Sequence, residues 1–82
     1  MAMKQIAFTH AAAKQLDALP VQPRTAIFEA ICELAISGKG DVKALQGRDG
    51  YRLRVGQYRV LFDTDATTIL AITIGRRTTT TY

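Results

Sequence analysis

Three arginines, Arg52, Arg54 and Arg59, lie at alternating positions of two short apolar segments within residues 51–62. Alternate residues of a strand share a face, so Arg52 and Arg54 are expected on one side and the apolar residues between them on the other. Guanidinium groups bind phosphates and carboxylates through paired hydrogen bonds. The pattern therefore predicts a surface that binds a polyanion, and a plain solvated basic face is the alternative.

Gly56-Gln57 separates the two segments and predicts a two-residue type II′ hairpin turn. This turn pairs Val55 with Tyr58. It then sets Arg54 opposite Arg59 and gathers the arginines on one face. Like charges directly opposite each other destabilise a sheet, which favours a binding role for the cluster. The other face is predicted to be buried and comprises Tyr51, Leu53, Val55, Tyr58, Val60 and Phe62.

The length and composition predict one ordered globular domain over residues 1–82, with 48% hydrophobic and 22% charged residues. No apolar run reaches the ~18 residues of a membrane-spanning helix, and the N-terminus lacks the apolar core of a signal peptide. We therefore expect a cytoplasmic protein without a membrane partner. Cys32 is the only cysteine, which excludes a disulfide framework and a thiolate metal site, and no cofactor is expected.

The net charge of +4 is unevenly distributed along the chain. Residues 1–38 hold three bases and three acids, whereas residues 39–82 hold eight bases and four acids. The entire excess of positive charge therefore lies in the second half. This asymmetry indicates a nucleic acid or an acidic protein as the partner.

Periodicity predicts the elements that precede the hairpin. Residues 4–8 alternate as in a short strand, and Thr9 is placed to cap a helix over residues 10–19. A second helix is predicted from Pro23, where the missing amide hydrogen is not needed, to a left-handed cap at Gly38. These segments form a helical hairpin.

Residues 41–50 are predicted to form a loop that ends in a turn. After the arginine hairpin, a turn at residues 63–66 leads to a third strand over residues 67–75, which is apolar on both faces as in a central strand. The predicted class is α+β. An N-terminal strand and a helical hairpin pack on an antiparallel sheet that ends in a three-stranded meander.

These motifs resemble the RelE/ParE superfamily of bacterial toxins, the toxin halves of type II toxin–antitoxin modules. The resemblance covers nearly the whole chain and implies the RelE-like fold. The segments that carry it are residues 13–20, residues 42–47, the hairpin at residues 51–60, and Ile74-Gly75-Arg76-Arg77 with Tyr82. All of them occur in the order and with the spacing of the superfamily.

RelE-like members bind the ribosomal A site and cut messenger RNA there without a metal, by attack of a ribose 2′-hydroxyl on the adjacent phosphate. The resemblance implies the same endoribonuclease activity here, with the ribosome, messenger RNA and a cognate acidic antitoxin as partners in a hetero-oligomer. The implied catalytic residues are Arg52, Arg54, Arg59, Arg77 and Tyr82. The implied RNA-binding residues are Lys43, Arg48, Arg52 and Arg76.

The chain departs from the family pattern on the first strand of the hairpin. Where ribosome-dependent members carry lysines, it has Arg52 and Arg54, and an arginine with a pKa above ~12 is a poor general base. The base is therefore unassigned. Two alternatives stay open: a ParE-like inhibitor of DNA gyrase, whose relatives generally lack the full basic set, and a non-catalytic RNA-binding module.

Overall fold

The structure, a computed structural model, describes residues 3–76. Its five strands form one sheet in the order β1-β5-β4-β3-β2, with two helices. In chain order the elements are β1 (Gln5–Phe8), α1 (His10–Asp17), α2 (Val21–Ser37), β2 (Val42–Ala44), β3 (Tyr51–Val55), β4 (Tyr58–Thr64) and β5 (Thr68–Arg76). The predicted α+β class and the meander of β3, β4 and β5 are confirmed.

The sheet is mixed rather than antiparallel, because β1 pairs with β5 in parallel while the other neighbours are antiparallel. A parallel pair requires a long crossover between its strands. Here the crossover comprises the two helices and the strands β2, β3 and β4, which all lie between β1 and β5 in the chain. The pairing also makes β5 a central strand, as its apolar sequence predicted.

The segment at residues 41–50 was expected to be a loop, and this prediction is wrong because it contains β2. Val42 pairs with Leu53, and Lys43 pairs with Arg52. Val42 is partly buried against the core, which anchors the strand. A three-residue edge strand is too short to display a period in sequence, so only its pairing with β3 reveals it.

The predicted hairpin register is confirmed. Val55 pairs with Tyr58, and Arg54 pairs with Arg59. Gly56 has φ 58°, and no non-glycine residue of the described chain has a positive φ. This combination is that of a type II′ turn, whose twist matches that of the strands. The turn therefore fixes which side chains of β3 and β4 share a face.

Helix α2 packs on one face of the sheet, termed the covered face, against β1, β3 and β4. The buried side chains of this core form one cluster with almost no exposed surface. Burial of this apolar surface is the main stabilising contribution to the fold. The cluster comprises Ala12, Ile27, Ile31, Ala35, Leu53, Val60, Phe62, Ile69, Ala71 and Ile74.

The helix boundaries differ slightly from the prediction. Helix α2 begins at Val21 rather than Pro23, because the first-turn amides of a helix have no intrahelical partner and a proline is tolerated there. It ends as predicted at Gly38, with φ 76°. Helix α1 ends at Asp17 instead of residue 19. Within residues 3–76, neither helix has the length and apolar character needed to cross a membrane.

Helix α1 lies along the edge of β5 beyond the end of β1. The Thr9 amide donates to the Ala71 carbonyl at 2.9 Å, and the Thr9 hydroxyl donates to the Ile72 carbonyl at 2.8 Å. The Ile74 amide donates to Oε1 of Gln15 at 2.7 Å. The amide and hydroxyl of Thr9, the N-cap of α1, and the side chain of Gln15 within α1 thus satisfy backbone groups that a longer β1 would have paired. They hold β5 in place, and β5 in turn supports β4.

Candidate functional site

The face of β2, β3 and β4 opposite the covered face carries the cationic side chains, and it is termed the open face. Its members follow from the strand register. Lys43 is opposite Arg52, and Arg52 is opposite Leu61 on the next strand. Arg54 is opposite Arg59 in the same way. Each of these residues alternates with a residue that faces the core.

A cleft of about 620 Å³ lies on the open face and is termed the basic cleft. No residue of either helix lines it. Every ionisable side chain among the described lining residues is a cation, so the electrostatic potential of the cleft attracts anions. The lining residues are Lys43, Ala44, Leu45, Gln46, Arg48, Arg52, Arg59 and Leu61.

The loop between β2 and β3 closes one side of the basic cleft. The Leu45 amide donates to the Gly50 carbonyl at 3.0 Å, which folds Arg48 toward the cleft. Gly50 has φ 114°, and a Cβ atom there would lie 3.1 Å from Oδ1 of Asp63 and 3.3 Å from a methyl group of Leu45. Only glycine fits this position without strain or crowding.

Arg54 is on the open face but outside the lining of the basic cleft. Its Nε lies 3.6 Å from Oδ2 of Asp41, and the side chains are 49% and 57% exposed. The Arg54 amide also donates to the Asp41 carbonyl at 3.0 Å. The residue preceding β2 therefore supplies a counter-charge for Arg54, and the catalytic role of Arg54 stays a prediction.

Arg76 also lies outside the lining of the basic cleft. Arg76 pairs with Tyr58 beside the hairpin turn. Its Nη2 donates to Oε1 of Gln57 at 2.8 Å on the exposed surface. The predicted catalytic residues Arg77 and Tyr82 lie outside the described residues. Of the predicted site residues, the structure brings together Lys43, Arg48, Arg52 and Arg59.

Sequence analysis missed the uncharged part of the lining. Leu61 could have been found, because the hairpin register places it opposite Arg52. Gln46 has no such signal, since its position depends on how the loop closes at Gly50. Together these side chains offer an apolar floor and an amide beside the cations. Phosphate groups bind such cations, while unstacked bases bind apolar and amide groups, so the cleft suits single-stranded nucleic acid.

The turn between β4 and β5 is fixed by a carboxylate away from the cleft. Oδ1 of Asp65 accepts the amides of Thr67 and Thr68, each at 2.8 Å. These hydrogen bonds, with the Thr67 amide contributing most, lower the pKa of Asp65 below its ordinary value of 3.8. Asp65 thus stabilises the sheet without taking part in the site.

Comparison with known proteins gives matches among solved structures. No protein-family model and no curated protein matches the sequence. A chain of the RelBE2 toxin–antitoxin complex from Mycobacterium tuberculosis is 26% identical, with 94% of each chain covered and a TM-score of 0.79. A chain of the RelE–RelB complex from Pyrococcus horikoshii is 24% identical over 95% of this chain and 99% of that chain, with a TM-score of 0.80.

The RelE toxin of E. coli in the free state is 21% identical over 93% of this chain and 84% of that chain, with a TM-score of 0.75. All three comparisons thus extend over nearly the whole chain and share its arrangement of helices and sheet. They agree with the resemblance that the sequence motifs carry, and they support a toxin role. The chain has the RelE-like fold.

Proposed function

We propose that this protein is the toxin of a type II toxin–antitoxin module and inhibits translation by cutting messenger RNA on the ribosome. The toxin role is supported by its structural neighbours, which include RelE toxins. The observation that carries the cleavage activity is the basic cleft, where four cationic side chains gather on a sheet face that neither helix lines. A gyrase inhibitor would not require a cluster matched to one phosphate.

The proposed reaction requires no metal. The ribose 2′-hydroxyl attacks the adjacent phosphorus, and the bond to the 5′-oxygen breaks, which leaves a cyclic phosphate and a 5′-hydroxyl. Negative charge grows on the non-bridging phosphate oxygens in the transition state. Arg52 and Arg59 line the cleft and would donate paired hydrogen bonds to these oxygens. Arg77 would add a third strong donor, and Tyr82 would stack on a base or assist proton transfer.

The ribosome would supply the alignment that the small domain lacks. The basic cleft is formed by three short strands and one loop, so it contacts only a small part of an RNA strand. Cleavage needs the 2′-oxygen, the phosphorus and the 5′-oxygen in line, and such positioning supplies a large part of a rate enhancement. Messenger RNA held in the ribosomal A site is already ordered. We therefore expect cutting of ribosome-bound message in the cytoplasm and little cutting of free RNA.

The antitoxin partner is proposed to be an acidic chain that covers the basic cleft. The similar structures include the RelBE2 toxin–antitoxin complex of M. tuberculosis, the RelE–RelB complex of P. horikoshii and the RelBE toxin–antitoxin complex of E. coli. An acidic segment that folds on binding would neutralise Arg48, Arg52 and Arg59 and exclude RNA. The complex should form more slowly as salt rises, because screening weakens charge steering.

The experiment is inducible expression of the wild type beside Arg59→Leu, with primer extension on abundant messages and an assay for gyrase-linked DNA breaks in the same cells. The wild type should arrest growth and produce cuts within translated codons, and the variant should do neither. DNA breaks with intact messages would overturn the proposal in favour of a gyrase inhibitor. Growth arrest with intact messages and intact DNA would favour a non-catalytic RNA-binding module.

A further inference from the structure

Lys43 differs chemically from the other cations of the basic cleft. The other described cations of the lining are Arg48, Arg52 and Arg59, and the remaining described side chains have no ionisable group. An arginine holds its proton throughout the working range of a protein, whereas a lysine ammonium can transfer one. Within the part of the cleft that residues 3–76 form, Lys43 is therefore the side chain suited to proton transfer.

The sheet places Lys43 beside the phosphate-binding arginines. It is directly opposite Arg52, and such cross-strand neighbours have Cβ atoms about 4.5–5.5 Å apart. Two contacts hold β2 in this register: the packing of Val42 against the core, and the hydrogen bond of 3.0 Å from the Arg54 amide to the Asp41 carbonyl. The ammonium and the Arg52 guanidinium can thus approach one phosphate from adjacent strands.

We propose that Lys43 is the general acid that protonates the leaving 5′-oxygen, an inference that rests on the proposed cleavage function. As the 2′-oxygen bonds to phosphorus and the bond from phosphorus to the 5′-oxygen breaks, the Lys43 ammonium transfers a proton to that oxygen. Lys43 is left as a neutral amine and regains a proton from water. The 2′-hydroxyl gives its own proton to water, so one proton is released and one is taken up.

The arginines and Lys43 have different roles in this proposal because their side chains differ in shape. A guanidinium is a planar fork that matches two phosphate oxygens at once, whereas an ammonium is a compact donor on a flexible stem. Arg52 and Arg59 suit the non-bridging oxygens, whose charge grows in the transition state. Lys43, which lines the cleft from the edge strand β2, suits the bridging oxygen that needs a proton.

The test uses programmed ribosomes with a message whose scissile linkage carries either the natural 5′-oxygen or a 5′-sulfur. A thiolate leaves without protonation, so loss of a general acid harms only the oxygen linkage. Lys43→Met should cut the oxygen linkage about 100-fold or more slowly than the wild type and the sulfur linkage at nearly the wild-type rate. Lys43→Arg keeps the charge but should show the same selective loss.

Two controls separate this role from simple phosphate binding. Lys39→Met removes the same charge outside the cleft lining and should cut both linkages at the wild-type rate. Arg59→Leu should slow both linkages alike. Equal slowing of both linkages by Lys43→Met, or a wild-type rate for Lys43→Arg, would overturn the inference and leave the proposed function standing. A wild type that cuts neither linkage would overturn the proposed function itself, and the role of Lys43 with it.

Discussion

The two faces of the sheet are built from the same strands but serve different purposes. On the covered face, Leu53 and Val60 are each 1% exposed and pack in the core. On the open face, their chain neighbours Arg52 and Arg59 line the basic cleft. Stability is thus concentrated on one face and the proposed chemistry on the other. Substitutions one residue apart in the same strand should therefore affect different measurements.

The largest effect on stability is expected from a substitution on the covered face. Leu53→Ala removes a fully buried side chain and leaves a cavity, so it should lower the free energy of unfolding by about 2–5 kcal/mol in urea denaturation. Leu61→Ala is the matched control, because Leu61 is only partly buried on the open face of the adjacent strand. Its loss should be clearly smaller. Equal losses would mean that the open face also has a packed core.

The reciprocal change is on the open face. Arg59→Leu should slow messenger RNA cleavage about 100-fold or more, because a donor to the charge that develops in the transition state is lost. Its melting temperature should fall much less than that of Leu53→Ala, since Arg59 lies outside the buried core. A melting temperature several degrees lower, with cleavage retained, would show that Arg59 is a structural residue and that the faces are not separable.

Arg54 and Arg59 lie opposite each other on the open face, but we expect them to differ in their effect on cleavage. Because Arg54 pairs with Asp41 outside the cleft lining, Arg54→Leu should slow cleavage much less than Arg59→Leu. The exposed ion pair should contribute at most about 1 kcal/mol to stability, and less as salt rises. A double-mutant cycle with Asp41→Asn in urea measures this coupling. A loss of cleavage as large as that of Arg59→Leu would place Arg54 among the catalytic residues after all.

The smallest effect is expected at the turn after β4, which belongs to neither face. The pKa of Asp65 is lowered from 3.8, chiefly by the Thr67 amide and then by the Thr68 amide, so its contribution to stability is present above this value. It is lost as the pH falls through the lower, folded-state pKa. Asp65→Asn should therefore melt earlier than the wild type at neutral pH, with the difference shrinking well below pH 3.8. A difference that is constant with pH would contradict this, and cleavage should not change.

The sequence predicted features that depend on local chemistry and missed those that depend on distant pairing. The hairpin register follows from alternation and from Gly56, so it could be derived residue by residue. The parallel pairing of β1 depends on a contact with β5, the last strand of the sheet in chain order, and β2 is only 3 residues long. Neither leaves a period in the sequence long enough to recognise.

The candidate site shows the same division. Arg52 and Arg59 were placed on one face by the hairpin alone. The counter-charge of Arg54 was missed because Asp41 lies before a strand that was not predicted. Gln46 was missed because its place in the cleft depends on the loop closure at Gly50, which the sequence indicated only as a turn.

Ribosome-dependent cleavage is tested most directly by incubating the purified protein with one synthetic message, alone and bound to programmed ribosomes, and mapping the ends of the products. The proposed function predicts a cut within the A-site codon, with a cyclic phosphate and a 5′-hydroxyl at the new ends. It also predicts an almost intact message when ribosomes are absent. An intact message on the ribosome, or equally fast cutting of free RNA, would contradict the assignment of ribosome-dependent cleavage to the basic cleft.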